Sequence, residues 1–403
     1  MFYNLLYQSA STFLISDIKS GKLPQAILLS GPGCSGKLTC ALEIARILSC
    51  SNTEKKGEWN CECPSCKKNK ELQNTQILLA GCRDCSLEIS AARKTLLYAE
   101  AENASYLTAA RYLFARAVRK LTMRFSQVLL EGDDRLSKIA PYTQSIDENL
   151  ERLSFANPLP ESSELEKITA DIIKSTDKLE SSFLSDSVPV DQIRNASSWA
   201  RLKSAAGKKV FIIENADRMN ESCRNALLKI LEEPPQDTVF ILTTTNKGAI
   251  MPTILSRVRV YNFVERKESE QAEVIKRVFH DFSSKHSSIE KYLQSFLPVS
   301  PEKIKKTAEE FYEGIKKSRL FQVSYFLKEC ASFSPSSLFK IFLSGLLDAQ
   351  KSFDCSSACL EVQIKNIEAI KNCYNNVTIY NQSPQAALEK LCRDLAANKR
   401  MFA

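Results

Sequence analysis

The chain has 403 residues, of which 25% are charged and 44% hydrophobic, and a formal net charge of +8 at pH 7. That length predicts about two or three domains rather than one core, and the composition is that of a soluble globular protein. No apolar run reaches the roughly 18 residues of a membrane span, which excludes a helical membrane protein, while the positive charge permits work near nucleic acid without demanding it.

The start, "MFYNLLYQSA", lacks the basic segment and small-residue cleavage site of a signal peptide. Fourteen cysteines in an unexported chain then point to reduced thiols or a metal rather than disulfides. Cytoplasm is the expected compartment. With only 11 glycines and abundant Leu, Lys, Glu and Ala, helix should dominate.

In chain order, five apolar or β-branched runs read as buried parallel strands: Gln25–Ser30, Gln76–Gly81, Lys208–Glu214, Asp237–Thr245 and Val258–Phe263. The first is followed by "GKLTCALEIARILSC", with apolar residues at a helical repeat. Alternating strands and helices predict a doubly wound α/β domain over residues 1–263. Glycine almost vanishes between Ser86 and Val188, where long helical patterns predict a helical insertion over about 86–187. From Val264 the chain reads as helical to its end, broken near "FLPVSPEK" and "SFSPSS".

Within "LLSGPGCSGKLT", Gly31 and Gly36 frame four residues before Lys37, the spacing of a phosphate-binding loop between a strand and a helix. Inward backbone N–H groups at Gly31, Gly33 and Gly36 would meet phosphate oxygens, and Lys37 would reach the terminal phosphates. Leu38 stands where a hydroxyl should hold magnesium, and Thr39 is rotated by about 100° from that position. ATP and Mg²⁺ are therefore expected to bind weakly or not at all.

The third strand ends at Glu214-Asn215, where an ATPase keeps a magnesium carboxylate and a catalytic glutamate. Asparagine cannot take a proton from water. Asp217 reads either as a stand-in base or as a solvated turn residue. Thr39, although misplaced for magnesium, together with Glu214 and Thr245 at the ends of the third and fourth strands, completes the expected nucleotide contacts.

Cys50, Cys61, Cys63 and Cys66 supply four thiols over a short span, enough for a closed tetrahedral zinc site. Cys82 and Cys85 read either as a source of a replacement ligand or as ordinary free thiols. The remaining cysteines (Cys34, Cys40, Cys223, Cys330, Cys355, Cys359, Cys373 and Cys392) are expected to pack as small apolar residues. Arg111, Arg116, Arg119, Lys120 and Arg124 read either as a phosphate-backbone face or as an ordinary solvated one.

"NALLKILEEPP" (Asn225–Pro235), "FILTTTN" (Phe240–Asn246) and "MPTILSRV" (Met251–Val258), with "LPQAILLSGPGCSGK" upstream, resemble the core of the bacterial DNA polymerase III clamp-loader AAA+ family. The resemblance covers most of residues 20–82 and 188–263 but not the insertion. It implies a RecA-like domain with a zinc module at about 50–66, a helical lid at 264–317 and an oligomerising collar at 318–403. It also implies gamma/tau and delta partners in a hetero-oligomeric ring, and a sliding clamp and primer–template DNA reached through the complex. Motor subunits of that family carry GK[ST] and an acidic pair; Leu38 and Glu214-Asn215 instead look like the non-hydrolysing delta-prime form, with a gamma/tau-type motor as the alternative. The resemblance places Arg257 where an arginine reaches a neighbour's ATP, and there a local salt bridge is the competing reading. A free-standing zinc-bearing interaction protein on a relic nucleotide fold is a third reading.

Overall fold

The computed structural model describes all residues except 156, 186, 205–206, 284, 318–322, 334, 336, 352–356, 379–381 and 401–403, together with the side chains of 351, 357–360, 378 and 399–400. It falls into two compact units, Met1–Leu293 and Gln294–Ala403.

In the first unit, α1 (Ala10–Lys19) leads to β1 (Ala26–Ser30), α2 (Lys37–Ser49), α3 (Pro64–Lys70) and β2 (Ile77–Gly81). Four long helices follow: α4 (Ser86–Ala101), α5 (Leu107–Thr122), α6 (Leu136–Arg152) and α7 (Ser162–Phe183). Then come α8 (Val190–Arg201), β3 (Lys209–Glu214), α9 (Glu221–Glu232), β4 (Thr238–Thr244), α10 (Pro252–Leu255), β5 (Arg259–Asn262), α11 (Glu268–Phe279) and α12 (Ile289–Gln294). All five strands predicted from sequence are present within one residue at most ends. They form one parallel sheet in the order β2-β3-β4-β1-β5.

Strands β1–β4 are buried on both faces, whereas β5, expected from sequence to be buried as well, is an edge strand with Arg259 and Asn262 exposed; the strand period of two decides which residue meets which layer. Leu28, Phe211, Ile213, Phe240 and Leu242 join α8 and α9 through Ile193, Trp199, Leu227 and Ile230. Their neighbours Ile27, Leu29, Val210, Ile212 and Ile241 meet α1 and α2 through Leu14, Ala41, Ile44 and Ala45. The helices α4–α7 have a core of their own, built on Leu96, Phe114, Leu121, Ile146, Ile168 and Leu179. Among the large apolar and aromatic side chains on and beside α5, Val118, Leu121 and Phe125 are buried, whereas Tyr106 and Leu113 are half-buried.

The second unit consists of α13 (Pro301–Lys316), α14 (Val323–Glu329), α15 (Ser337–Lys351), α16 (Ser357–Thr378) and α17 (Pro384–Arg400). Its core is aromatic, with Phe311 edge-on to Phe326 at 5.1 Å and to Phe342 at 5.6 Å. Gly345 lets α15 close on α13, since a methyl there would lie 2.9 Å from the Ala308 side chain. Ser318, the expected collar boundary, and Cys355 lie outside the described residues, as does the side chain of Cys359.

Candidate functional site

β1 lies between β4 and β5, so the turn leaving its carboxyl end sits where crossover connections depart in opposite directions. Gly31 begins that turn at φ +157°, and a side chain there would come within 2.4 Å of the Phe263 carbonyl oxygen. Gly36 ends it at φ +94°, left-handed geometry that glycine takes without strain. Gly33 is exposed between them. The Arg266 guanidinium, buried at 7% exposure, straps the turn by donating to the carbonyls of Cys34 (2.8 Å) and Leu6 (3.0 Å).

Lys37 is folded back into its own loop, its Nζ donating to the carbonyls of Gly31 (2.7 Å) and Pro32. Burial lowers its ammonium to about 8, so it still carries charge at neutral pH. Leu38 packs into the α2-side core with Leu5 and Phe2, at 4% exposure. Thr39 turns away onto the wall of a cleft of about 680 Å³, shared with Tyr3, Trp59, Lys120 and His280. The first turn of α2 thus presents no hydroxyl beside the Lys37 side chain in the position that magnesium requires.

At the end of β3, Glu214 is held by two guanidinium groups. Arg124, 2% exposed and delivered by the insertion, donates Nη2 to Oε2 at 2.5 Å, and Arg83 donates Nη1 to Oε1 at 3.4 Å. Arg83 also grips Glu88, which is in turn paired with Lys120. The result is a chain of alternating charge, Arg124–Glu214–Arg83–Glu88–Lys120, running from the sheet edge into α4 and α5. Gly81 makes the close approach possible, because a side chain on it would meet the Glu214 carbonyl oxygen at 2.1 Å.

The residues beyond Glu214 are also committed. Asn215 adopts a left-handed conformation (φ 54°) and donates its Nδ2 to the Cys82 carbonyl at 2.7 Å. Asp217 accepts from the Thr244 hydroxyl at 2.6 Å, and Thr245 is exposed just past β4. Lys37, Glu214, Asp217 and Thr245 therefore share the carboxyl edge of the sheet, but only Lys37 belongs to the loop itself.

The ionic chain carries a pH signature. Burial opposes ionisation of Glu88, yet Lys120 and Arg83 outweigh it and hold the carboxyl at about 2, against an ordinary 4.5. A depressed native value adds stability that is complete above the unfolded value and disappears as pH falls through the native one. Glu88→Gln should therefore be destabilised by a few kcal/mol at pH 7, and the gap to wild type should shrink as pH falls from about 4.5 to about 2. Denaturation midpoints across that window check this; a constant gap would remove the charge-pairing account.

Arg257 sits at the surface after α10. Its Nη2 donates to Glu232 Oε1 at 2.8 Å and its Nη1 to the Thr253 carbonyl at 2.8 Å. The local salt bridge is thus present in the single chain, with the Glu232 carboxylate 54% exposed. Arg259, nearby in sequence, pairs instead with Asp17 at 3.3 Å.

The four cysteines of the metal motif come together, with all their Sγ atoms within 4.8 Å of one another. Cys50 lies 3.7 Å from Cys61 and 3.9 Å from Cys63. Four thiolates about 2.3 Å from a central zinc would be about 3.8 Å apart, so the donor set fits a tetrahedral ion. Cys61 is fully buried within the cluster. Cys82 and Cys85 stand apart from it: Arg218 donates to Cys82 Sγ, and Cys85 precedes α4. Among the scattered cysteines, Cys40, Cys223, Cys330 and Cys373 are buried and Cys392 is half-buried, but Cys34 is exposed in the loop turn.

The five basic insertion residues all have partners within the chain. Arg111 donates to the Leu153, Ser154 and Asn157 carbonyls, Arg116 to those of Asn69 and Lys70, Arg119 to Asp147, Lys120 to Glu88 and Arg124 to Glu214. They stitch the insertion together and to its neighbours.

A family model described as DNA polymerase III, delta subunit, matches residues 7–136 and 156–267, more than half of the chain. DNA polymerase III subunit delta' of Haemophilus influenzae is 38% identical over 76 residues, 19% of this chain and 23% of the relative. DNA polymerase III subunit gamma/tau of Mycobacterium bovis is 39% identical over 72 residues, 18% of this chain and 12% of the relative. The matched segments thus span less than a quarter of these relatives' own length. A gamma subunit-related protein of DNA polymerase III from Thermotoga maritima, solved as a crystal structure, is similar at 17% identity with a TM-score of 0.28, covering 58% of this chain and 90% of that one. On the family model's match, joined to the parallel sheet and its glycine turn, the chain belongs to the DNA polymerase III delta-subunit family of clamp-loader proteins.

Proposed function

We propose that this chain is a delta-prime-like stator of the DNA polymerase III clamp loader: it hydrolyses no ATP itself and supports its neighbours. The observation that carries the reading is the fate of Glu214, the one carboxylate at the magnesium position, which is taken up by Arg124 and Arg83. Leu38 in the core and Asn215 turned onto Cys82 agree with it. The loop persists as a strand-to-helix turn, with ATP and Mg²⁺ bound weakly or not at all.

In this reading Arg257, at the surface, faces the ATP of an adjacent gamma/tau-type motor subunit. The helices from 264 to 317 form a lid and those from 318 to 403 a collar that holds the ring. Sliding clamp and primer–template DNA are met through the whole assembly. Cys50, Cys61, Cys63 and Cys66 hold a structural zinc ion, whose role is to cross-link the segment between α2 and α3 rather than to react.

The direct test is ATP turnover by the purified chain alone, compared with its Lys37→Ala variant. The expected result is no turnover above background in either. Turnover that disappears with Lys37→Ala would instead make the chain a gamma/tau-type motor.

A further inference from the structure

The cysteine cluster has a charged neighbour on the helix that follows the phosphate loop. Arg46, in the last turn of α2, is 1% exposed. Its Nη1 donates to Cys66 Sγ at 3.4 Å and to the Glu58 carbonyl at 2.9 Å. Its Nη2 donates to the Gly57 carbonyl at 3.0 Å and to Glu43 Oε1 at 2.6 Å, and its Nε to Glu43 Oε2 at 2.9 Å. One guanidinium therefore touches a ligand sulfur, the loop that delivers Cys61, and a carboxylate one turn back on α2.

We infer that Arg46 is the positioning residue of the metal centre, fixing the Cys66 sulfur and the loop that delivers Cys61, and tying metal occupancy to the end of the helix behind the phosphate loop. This rests on the reading of the four cysteines as a zinc site. Four thiolates around a divalent cation carry a net charge of −2, and that charge is buried. A donor that is itself charged strengthens the hydrogen bond to thiolate sulfur far more than to a neutral thiol. The Glu43 carboxylate fixes the guanidinium in plane, so Arg46 meets the sulfur without reorganising. A lysine would keep the charge but not the fork that spans the sulfur, the two carbonyls and the carboxylate.

The test uses the full chain, purified without chelator. Elemental analysis comes first: one zinc per chain is expected, and a metal-free wild type would defeat the zinc reading itself. Zinc affinity is then measured by competition with a chromophoric chelator. Outer-shell partners of metal ligands are typically worth 10–100-fold in affinity, so Arg46→Met should bind zinc about 10–100-fold more weakly and Arg46→Lys several-fold more weakly. Lys70→Met serves as control. Its ammonium lies 5.6 Å from the Trp59 ring centre, as the Arg46 guanidinium also does, and its removal should leave the affinity unchanged. Wild-type affinity in the Arg46 variants, or an equal loss in Lys70→Met, would overturn the inference. If Arg46→Met does not fold even with zinc, Arg46→Lys decides alone, a several-fold loss supporting the role and no loss overturning it. Chelating the wild type should also speed amide exchange over residues 43–49 but not over α9. Equal protection of residues 43–49 with and without metal would overturn the link to α2.

Discussion

Arg257→Ala should slow ATP turnover at the motor site beside this chain about 10³-fold, the lower end of what arginine fingers supply by neutralising charge on the transferring phosphoryl group. The expectation follows from the proposed stator role and from how little holds the guanidinium in the free chain. An exposed pair such as Arg257–Glu232 is worth about 0.2–1 kcal/mol, and the Thr253 carbonyl and the Ser256 hydroxyl add exposed hydrogen bonds at 2.8 and 3.3 Å. Swinging the side chain onto a neighbour's phosphate therefore costs little against the gain from meeting γ-phosphoryl charge. The measurement needs a loader in which only the adjacent motor site is left competent, because turnover at other sites would mask the loss. Arg259→Ala, whose guanidinium pairs with Asp17, serves as the control and should leave the rate near wild type. An unchanged rate in Arg257→Ala would end the claim that this arginine works in trans.

Glu214→Met should destabilise the first unit by about 3–5 kcal/mol, the usual consequence of stripping one partner from a buried ion pair. The penalty comes less from the lost attraction than from what stays behind, since Arg124 is 2% exposed and would be left as a buried charge without its carboxylate. Denaturant unfolding followed by circular dichroism gives the number. Arg124→Met alone should cost a comparable amount, because it leaves Glu214 with only the longer contact to Arg83. The double variant Glu214→Met/Arg124→Met should recover most of the loss, as apolar replacements for buried pairs generally do. Additive losses in the double variant would mean that the two side chains do not act as a pair.

The sheet was legible because a strand buried on both faces has to be a continuous apolar run, and each of "AILLS", "ILLAG", "KVFIIE" and "TVFILTT" is one. Leu38 could be read for the same reason: an apolar residue inside a motif that asks for a hydroxyl leaves few alternatives, and its burial follows. The short Cys61–Cys63 spacing does not keep Cys61 out of the cluster, whose four Sγ atoms lie within 4.8 Å of one another; the loop from Gly57 to Cys61 is held by Arg46, a contact 11 residues away in sequence from Gly57. The partners of Glu214 were not legible. Arg124 reads in sequence as one more cation on a basic helix, and Arg83 as a loop residue. Nothing in spacing or periodicity says that a side chain 90 residues upstream arrives at the end of β3. Long-range pairing of charges leaves no local pattern, whereas burial does.

The passage of Arg124 from the insertion to the sheet bears on any attempt to shorten this chain. Helices α4–α7 have their own core and resemble a cassette that a designer would excise, joining Gly81 to the start of α8. Cutting there would remove Arg83, Glu88, Lys120 and Arg124 together and leave a bare carboxylate at the end of β3. A minimal version that drops these helices must therefore also replace Glu214 with an apolar residue, or restore the hydroxyl at position 38 and let a cation take the guanidinium's place.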